Sequence, residues 1–230
     1  MSTEVNQPAA SKSTEEKVVE GTQQFWSKNS KILTALAIGI VLGVGGYLSY
    51  INFIKKPAEN EANEAIWTAQ LNYKNDSFAL ALNGDGSKAN PGFLKVISKH
   101  SGTKAANLAH FYAGSCYLAL GDFKNAAKYL EDFSTSDNEL QLRKFGSLGD
   151  AYAEAGTTDK AIENYKKAAT VFETDETSSS EYLFRLAQLY DKLGKTKEAI
   201  ETFNALKEKF PLTLRAAEAD KYLARLGETK

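Results

Sequence analysis

The stretch YAGSCYLALGDFKNAAKYL, residues 112–130, returns twice in altered form, as SLGDAYAEAGTTDKAIENY at 147–165 and RLAQLYDKLGKTKEAIETF at 185–203. In each copy a tyrosine comes four residues before a glycine, an alanine follows the glycine five residues later, and a large side chain follows after four more. Successive glycines are 35 and then 38 residues apart. In chain order these positions are Tyr117, Gly121, Ala126 and Leu130; Tyr152, Gly156, Ala161 and Tyr165; and Tyr190, Gly194, Ala199 and Phe203.

A repeated pair of helices accounts for the small residues of this pattern. A glycine after the first helix can take the left-handed conformation at little cost, so the chain turns back there. Small residues are expected where the two helices cross closely, and the tyrosines are expected to fill the space between neighbouring pairs. The predicted crossing residues are Gly114, Gly149 and Ala187 on the first helices and Ala126, Ala161 and Ala199 on the second.

The pattern resembles the tetratricopeptide repeat (TPR), a helix–turn–helix unit of about 34 residues. The resemblance covers three units in residues 105–211, and Pro211 ends the third unit as it does in that family. It implies an all-α fold in which the units stack into a right-handed solenoid. The first helix of each unit then lines the concave, protein-binding side.

Both flanks of the three units also carry helical patterns. Residues 57–104 hold two apolar helical stripes separated by the turn-rich NGDGSKANPG, which predicts a degenerate first unit. Residues 212–230 place apolar residues at spacings of four and three, with charges on the other face. That pattern predicts a capping helix, which a repeat stack needs at its end.

Residues 32–54 predict a single transmembrane helix. The segment has no charged residue, and as a helix it would be about 34 Å long, against roughly 30 Å of hydrocarbon in a bilayer. Lysines and aromatic rings lie at both ends, as at membrane–water interfaces. Because the apolar run is long and no small-residue cleavage site follows, an uncleaved span is favoured over a signal peptide or a buried soluble helix.

Residues 1–31 precede the predicted span and are the candidate cytoplasmic tail. The polar residues 1–12 are expected to be disordered. From Ser13 onward, an apolar stripe predicts a short amphipathic helix that lies on the membrane and runs into the span, and the alternative is a frayed linker. The stripe consists of Val18, Val19, Thr22, Phe25 and Trp26.

Small residues recur on one side of the predicted span, at Ala35, Gly39, Gly43 and Gly46. In lipid, small residues about four apart allow a second helix to approach closely. We therefore expect a lateral packing face there; the alternative is that these glycines are merely tolerated in the membrane.

Composition and spacing argue against catalysis and against several ligand classes. A net charge of −1 creates no field that would favour nucleic acid. The single cysteine, Cys116, permits no internal disulfide, and His100 and His110 lack partners at metal-ligand spacing. No combination of residues suggests acid–base or nucleophilic catalysis. The sequence predicts a non-enzymatic protein without a cofactor or small-molecule substrate.

The TPR resemblance also implies which side chains line the binding groove. TPR domains that clamp the acidic tails of cytosolic chaperones use lysine, asparagine and arginine at several of these positions, where this sequence has Phe111, Ser115, Asp150, Phe184 and Gln188. Apolar patches and mixed charge instead favour an extended or helical protein segment. Phe111 and Phe184 are expected to be exposed rings, unless the capping helix or a neighbouring unit covers them. The implied groove residues are Leu108, Phe111, Ser115 and Leu118; Arg143, Gly146, Asp150 and Glu154; and Glu181, Phe184, Gln188 and Asp191.

The order of the segments resembles the YfgM-like family of Gram-negative bacteria, ancillary subunits of the Sec translocon. The matching features are Phe25, Trp26, Lys28, Asn29 and Lys31 before the span, and Gly39, Gly43, Gly45 and Gly46 within it.

This second resemblance implies a single-pass protein of the inner (plasma) membrane, with its N-terminus in the cytoplasm and its TPR domain in the periplasm. It implies an adaptor that works at the Sec translocon with a membrane-anchored periplasmic chaperone of the prolyl-isomerase type, or with unfolded clients. The alternative is a scaffold in another envelope complex, for cell division or outer-membrane assembly.

Overall fold

The structure, a computed structural model, describes residues 13–228, apart from the side chains of Glu16, Gly21 and Gln24. The expected disorder of residues 1–12 falls outside this range. All regular structure in the described residues is helical, as the repeat pattern predicts. The chain divides into two compact units, Met1–Lys56 and Pro57–Lys230.

The first unit is formed by helix α1, Thr14–Tyr50, and a π-helical turn, Ile51–Lys55. Helix α1 runs without a break through the predicted amphipathic stretch and into the predicted span. Near the end of the apolar segment, the Asn52 amide donates to the Leu48 carbonyl at 3.0 Å and accepts from the Lys56 ammonium at 2.8 Å. Both polar atoms of the Asn52 side chain therefore have partners one helical turn away.

One helical stretch among the described residues is long and apolar enough to cross a membrane. Its most apolar window has a mean hydropathy of 2.0, and none of that window is buried in the structure. The stretch contains residues 32–54, so length and composition agree with the predicted span.

The second unit is a succession of helices in which most helices pack on the next one in the chain. The first helices of successive pairs also contact one another. In chain order the helices are α2 (Lys56–Lys74), α3 (Phe78–Asn83), α4 (Gly92–Lys99), α5 (Lys104–Ala119), α6 (Phe123–Asp132), α7 (Asn138–Glu154), α8 (Thr158–Val171), α9 (Glu176–Lys192), α10 (Thr196–Lys209) and α11 (Leu214–Arg225).

The predicted turns lie between the helices of each pair. Gly121 has a φ of 78°, and Gly156 and Gly194 each have a φ of 71°. After each glycine, the next backbone N–H donates to the carbonyl of the repeated tyrosine, for example from Asp122 to Tyr117 at 2.9 Å. This is the glycine-terminated helix end that the pattern predicts, and it pairs α5 with α6, α7 with α8 and α9 with α10.

The helix crossings also lie where the small residues predict them. A Cβ atom on Gly114 would lie 2.5 Å from Leu130 Cγ, and one on Gly149 would lie 2.4 Å from Tyr165 Cδ1. In the third pair, Ala187 is fully buried. The repeated alanines Ala126, Ala161 and Ala199 are fully buried as well.

The degenerate first unit contains one helix more than predicted. Helices α2 and α4 correspond to the two apolar stripes, and the short helix α3 lies between them. The loop after α3 closes tightly, because a Cβ on Gly84 would lie 2.3 Å from the Asn90 carbonyl oxygen. The Asn72 side chain of α2 donates to the Asn90 side chain at 3.1 Å. A fixed loop therefore replaces a simple turn.

Helix α11 lies one repeat period after α9 and repeats the features of a first helix. Gly227 has a φ of 88°, and the Glu228 N–H donates to the Leu223 carbonyl at 3.0 Å. One period after the small crossing residue Ala187, however, come Asp220 and Lys221, which are both exposed. These charged side chains leave no small residue for a second helix to cross, which is the physical reason for a cap at this end of the described solenoid.

Candidate protein-binding face

Helices α5, α7, α9 and α11 lie side by side and form one face of the second unit, here called the first-helix face. This face carries the predicted groove residues. Its two halves differ, since α11 covers much of the α9 side while the α5–α7 side has no such cover.

Phe184 is buried, contrary to the expectation of an exposed groove ring. Only 2% of it is exposed. Its ring packs edge-on against Tyr222 of α11 at 5.2 Å and Phe203 of α10 at 5.6 Å, and the Arg215 guanidinium lies 4.8 Å from its centre. The capping helix therefore covers this ring, and Phe184 belongs to the core.

A chain of ion pairs links the first helices of the last units. Arg185 of α9 donates to both carboxylate oxygens of Asp150 on α7, at 2.6 and 2.7 Å, and to Glu181 at 2.7 Å. Arg215 of α11 also donates to Glu181, and to Glu218 at 2.5 Å. Tyr165 donates to Asp150 at 2.7 Å. The predicted groove carboxylate of Asp150 is thus used to join neighbouring units.

The remaining α9 groove positions have internal partners as well. The Gln188 amide donates to the Tyr222 hydroxyl at 2.8 Å, and Arg225 donates to Asp191. On α7, the surface of Gly146 is covered by Tyr182, whose Cζ would lie 1.9 Å from a Cβ at that position. These contacts fill the groove between α7 and α11.

The α5–α7 side of the face is more open. Phe111 is half-buried, with its ring 5.4 Å from that of Phe133. Leu108 and Leu118 are also half-buried, and the Ser115 hydroxyl donates to the Phe111 carbonyl at 3.0 Å. On α7, Arg143 and Glu154 are exposed. The predicted groove residues that retain solvent-facing groups are therefore concentrated in this half.

Glu181 makes the stability of this linked structure pH-dependent. Burial is the largest single influence and would raise the pKa of Glu181, but the hydrogen bonds and charges of Arg185 and Arg215 outweigh it and hold the pKa below the ordinary 4.5. A carboxyl group with a lowered folded-state pKa stabilises the fold above its unfolded-state pKa, and this contribution is lost as pH falls through the folded-state pKa.

We therefore expect the urea midpoint to fall as pH decreases below about 4.5, and Glu181→Gln to make this fall shallower. Glu201→Gln, on an exposed part of α10, is the matched control and should retain the wild-type pH profile. If the urea midpoint of Glu181→Gln fell with pH in parallel with that of the wild type, Glu181 would not be the source of the pH dependence.

The cysteine and the two histidines, which were considered for catalysis or metal binding, lie in the interior of the fold or near it. Burial raises the pKa of the Cys116 thiol to about 12, which makes it a poor nucleophile. Burial lowers the pKa of His110, whose Nδ1 lies 3.9 Å from Asp132. His100 is the residue that follows α4, and it is buried. No group of three or more metal-ligating side chains occurs in the described residues.

In the first unit, the predicted small-residue face lies on α1. A Cβ at Gly39, Gly43 or Gly46 would meet no atom within 4 Å. Ala35 and Gly39 line a shallow apolar depression. No second helix among the described residues of this unit occupies it, so the role of Ala35, Gly39, Gly43 and Gly46 stays a prediction.

Comparisons with known proteins agree with this architecture. Two tetratricopeptide repeat models match, one over residues 140–206 and one over residues 108–136. A solved structure of nearly identical kinesin light chain TPR-like repeats from Podosopora anserina is similar, with a TM-score of 0.55 and 18% identity, covering 71% of this chain and 84% of that one.

A variant form of the same Podosopora anserina repeats gives a TM-score of 0.56 at 18% identity, covering 73% of this chain and 86% of that one. A comparison with curated proteins found no match. At this identity the structural likeness concerns the fold alone. The chain is thus an all-helical solenoid of tetratricopeptide repeats, preceded by a long apolar helix that could span a membrane.

Proposed function

We propose that this chain is a membrane-anchored adaptor that binds protein partners through the α5–α7 half of its first-helix face. The observation that carries the proposal is the contrast between the two halves. The α9 half is filled by α11, whereas in the α5–α7 half Phe111 of α5 is half-buried and Arg143 and Glu154 of α7 are exposed. A face that carries both partly exposed apolar side chains and exposed charges suits a protein segment better than a small molecule.

The proposed setting follows from the YfgM-like resemblance and the apolar helix α1. Residues 1–31 lie in the cytoplasm, residues 32–54 span the inner membrane, and the TPR domain lies in the periplasm. The partners are the Sec translocon, a membrane-anchored periplasmic chaperone or unfolded clients. TPR folds typically serve as interaction scaffolds, which supports a non-enzymatic role.

A membrane-impermeant crosslinker added to spheroplasts, followed by purification of the full chain, tests the proposal. The wild type should capture a translocon subunit or a chaperone. The double charge reversal Arg143→Glu with Glu154→Lys should reduce capture by about tenfold, roughly 1.4 kcal/mol. Because both side chains are exposed, thermal stability should change little.

The matched control reverses a similar pair on another surface, Lys197→Glu with Glu201→Lys on α10, whose side chains are 86% and 65% exposed. It should retain wild-type capture. Capture only after cell lysis would overturn the topology. Capture of cell-division or outer-membrane assembly proteins instead would overturn the translocon assignment, and equal losses in both variants would overturn the choice of face.

A further inference from the structure

Four turns lead into the helices of the first-helix face. The turns before α5, α7 and α9 are polar, and the turn before α11 is apolar. The three polar turns read SGT at residues 101–103, STSD at 134–137 and ETD at 173–175, whereas the turn between α10 and α11 reads PLT at 211–213 and is followed by Leu214, the first residue of α11. Leu212 is 93% exposed and Leu214 is 88% exposed. Apart from the apolar helix α1 and the π-helical turn that follows it, no other described large hydrophobic residue is as exposed.

The two leucines are held in place by the turn. Thr213 between them is extended, with φ −87° and ψ 153°, so Leu212 and Leu214 project to the same side. The Thr213 hydroxyl donates to the Phe210 carbonyl at 2.9 Å and accepts from the Ala216 N–H at 3.3 Å. A partner that binds this pair would therefore lose little free energy to ordering the turn.

The leucines border a cleft of about 730 Å³ between the N-terminal ends of α9 and α11. Three carboxylates line it, those of Glu176, Glu181 and Glu218, against one cation, Arg215. Arg215 already bonds to both Glu181 and Glu218, and Arg185, which does not line the cleft, bonds to Glu181 as well. The lining therefore carries a net negative charge next to an exposed apolar pair.

We infer that this cleft, here called the leucine cleft, binds a basic amphipathic segment of a partner protein. Apolar side chains of the segment contact Leu212 and Leu214, and its lysine or arginine side chains face Glu176, Glu181 and Glu218. The net negative charge of the cleft argues against two other occupants, an anionic lipid surface and a second copy of this chain. An anionic lipid surface would be repelled by the carboxylates, and a second copy would bring the same negative surface against itself.

The test uses the full chain in nanodiscs of zwitterionic lipid, with empty nanodiscs as background. Two fluorescein-labelled helical peptides share one leucine pattern, and one carries lysines where the other carries glutamates. The lysine peptide should bind the wild type at least about tenfold more tightly than the glutamate peptide. Its binding should weaken as salt increases, because the charges are at the surface.

Leu212→Ser with Leu214→Ser should weaken binding of the lysine peptide by at least about tenfold, with an unchanged thermal midpoint, since both side chains are already exposed. Glu176→Lys should weaken it as well and should reduce the salt dependence. The matched control is Leu120→Ser with Leu193→Ser, two exposed leucines that follow the other ends of α5 and α9, and it should bind as the wild type does.

Equal binding of the two peptides, or full binding by the double leucine variant, would overturn the proposal. Leucine-dependent binding of anionic phosphatidylglycerol vesicles without peptide binding would identify a lipid surface instead. Leucine-dependent pairing of the nanodiscs would identify a second copy. Either result would also reject a basic protein segment as the occupant of the leucine cleft.

Discussion

Replacing Phe203 by alanine is expected to lower the free energy of unfolding of the TPR domain by about 3–5 kcal/mol. Phe203 is fully buried and contacts two further rings, Phe184 of α9 at 5.6 Å and Tyr222 of α11 at 5.1 Å. Its removal leaves a cavity at the point where three helices meet. Urea denaturation of the full chain in mild detergent, followed by circular dichroism, measures the effect.

The loss should be local before it is global. In a repeat stack each unit contacts only its neighbours, so hydrogen exchange should accelerate first in α9, α10 and α11, while α5 and α6 remain protected. Leu193→Ala, at a side chain 39% exposed, is the control and should change stability by less than about 0.5 kcal/mol. Uniform acceleration of exchange through all units would contradict the placement of Phe203 among contacts confined to α9, α10 and α11.

The repeat pattern predicts the helix pairs well because a few residues determine their geometry locally. Gly121, Gly156 and Gly194 each end a helix through their own backbone conformation. The extra helix α3 was missed because the sequence FALALN is only 6 residues long and lies beside a turn-rich loop. Its existence depends on packing against α4 and α5, which no local pattern reveals.

The groove was predicted less well. The TPR pattern indicates which side chains face the first-helix face, but it does not indicate which of them a neighbouring helix covers. Phe184 occupies a groove position, but α11 lies over it. One signal in the sequence does indicate the cover. Bonded partners on neighbouring first helices are 34 or 35 residues apart in the sequence: Asp150 and Arg185 are separated by 35 residues, and Glu181 and Arg215 by 34.

Charges of opposite sign that are 34 or 35 residues apart therefore indicate contacts between units. Applied to α11, this spacing pairs Asp191 with Arg225, which are 34 residues apart. The uncharged pair of Gln188 and Tyr222 has the same spacing. A search for such pairs would have placed Asp150, Glu181 and Asp191 in contacts between units and left Arg143 and Glu154 as candidates for binding.

Gly146→Leu is expected to lower the free energy of unfolding by about 2–3 kcal/mol, although leucine is the better helix former by nearly 1 kcal/mol. The reason is Tyr182 of α9, whose Cζ, Cε1 and hydroxyl oxygen atoms would lie 1.9, 2.2 and 2.3 Å from a Cβ at residue 146. That ring is stacked on Tyr165 at 6.4 Å and has the Arg185 guanidinium 5.6 Å from its centre. It therefore cannot move aside without disturbing both contacts.

A double-mutant cycle separates this clash from a general intolerance of side chains on α7. In a Tyr182→Ala background the ring is gone, and a leucine at residue 146 can occupy the vacated space while improving the helix. There Gly146→Leu should be neutral or stabilising, which gives a coupling free energy of about 2–3 kcal/mol between the two positions. If Gly146→Leu lowers the free energy of unfolding equally in both backgrounds, Tyr182 is not the residue that requires glycine at position 146. The close packing of Tyr182 on Gly146, between α9 and α7, would then be wrong.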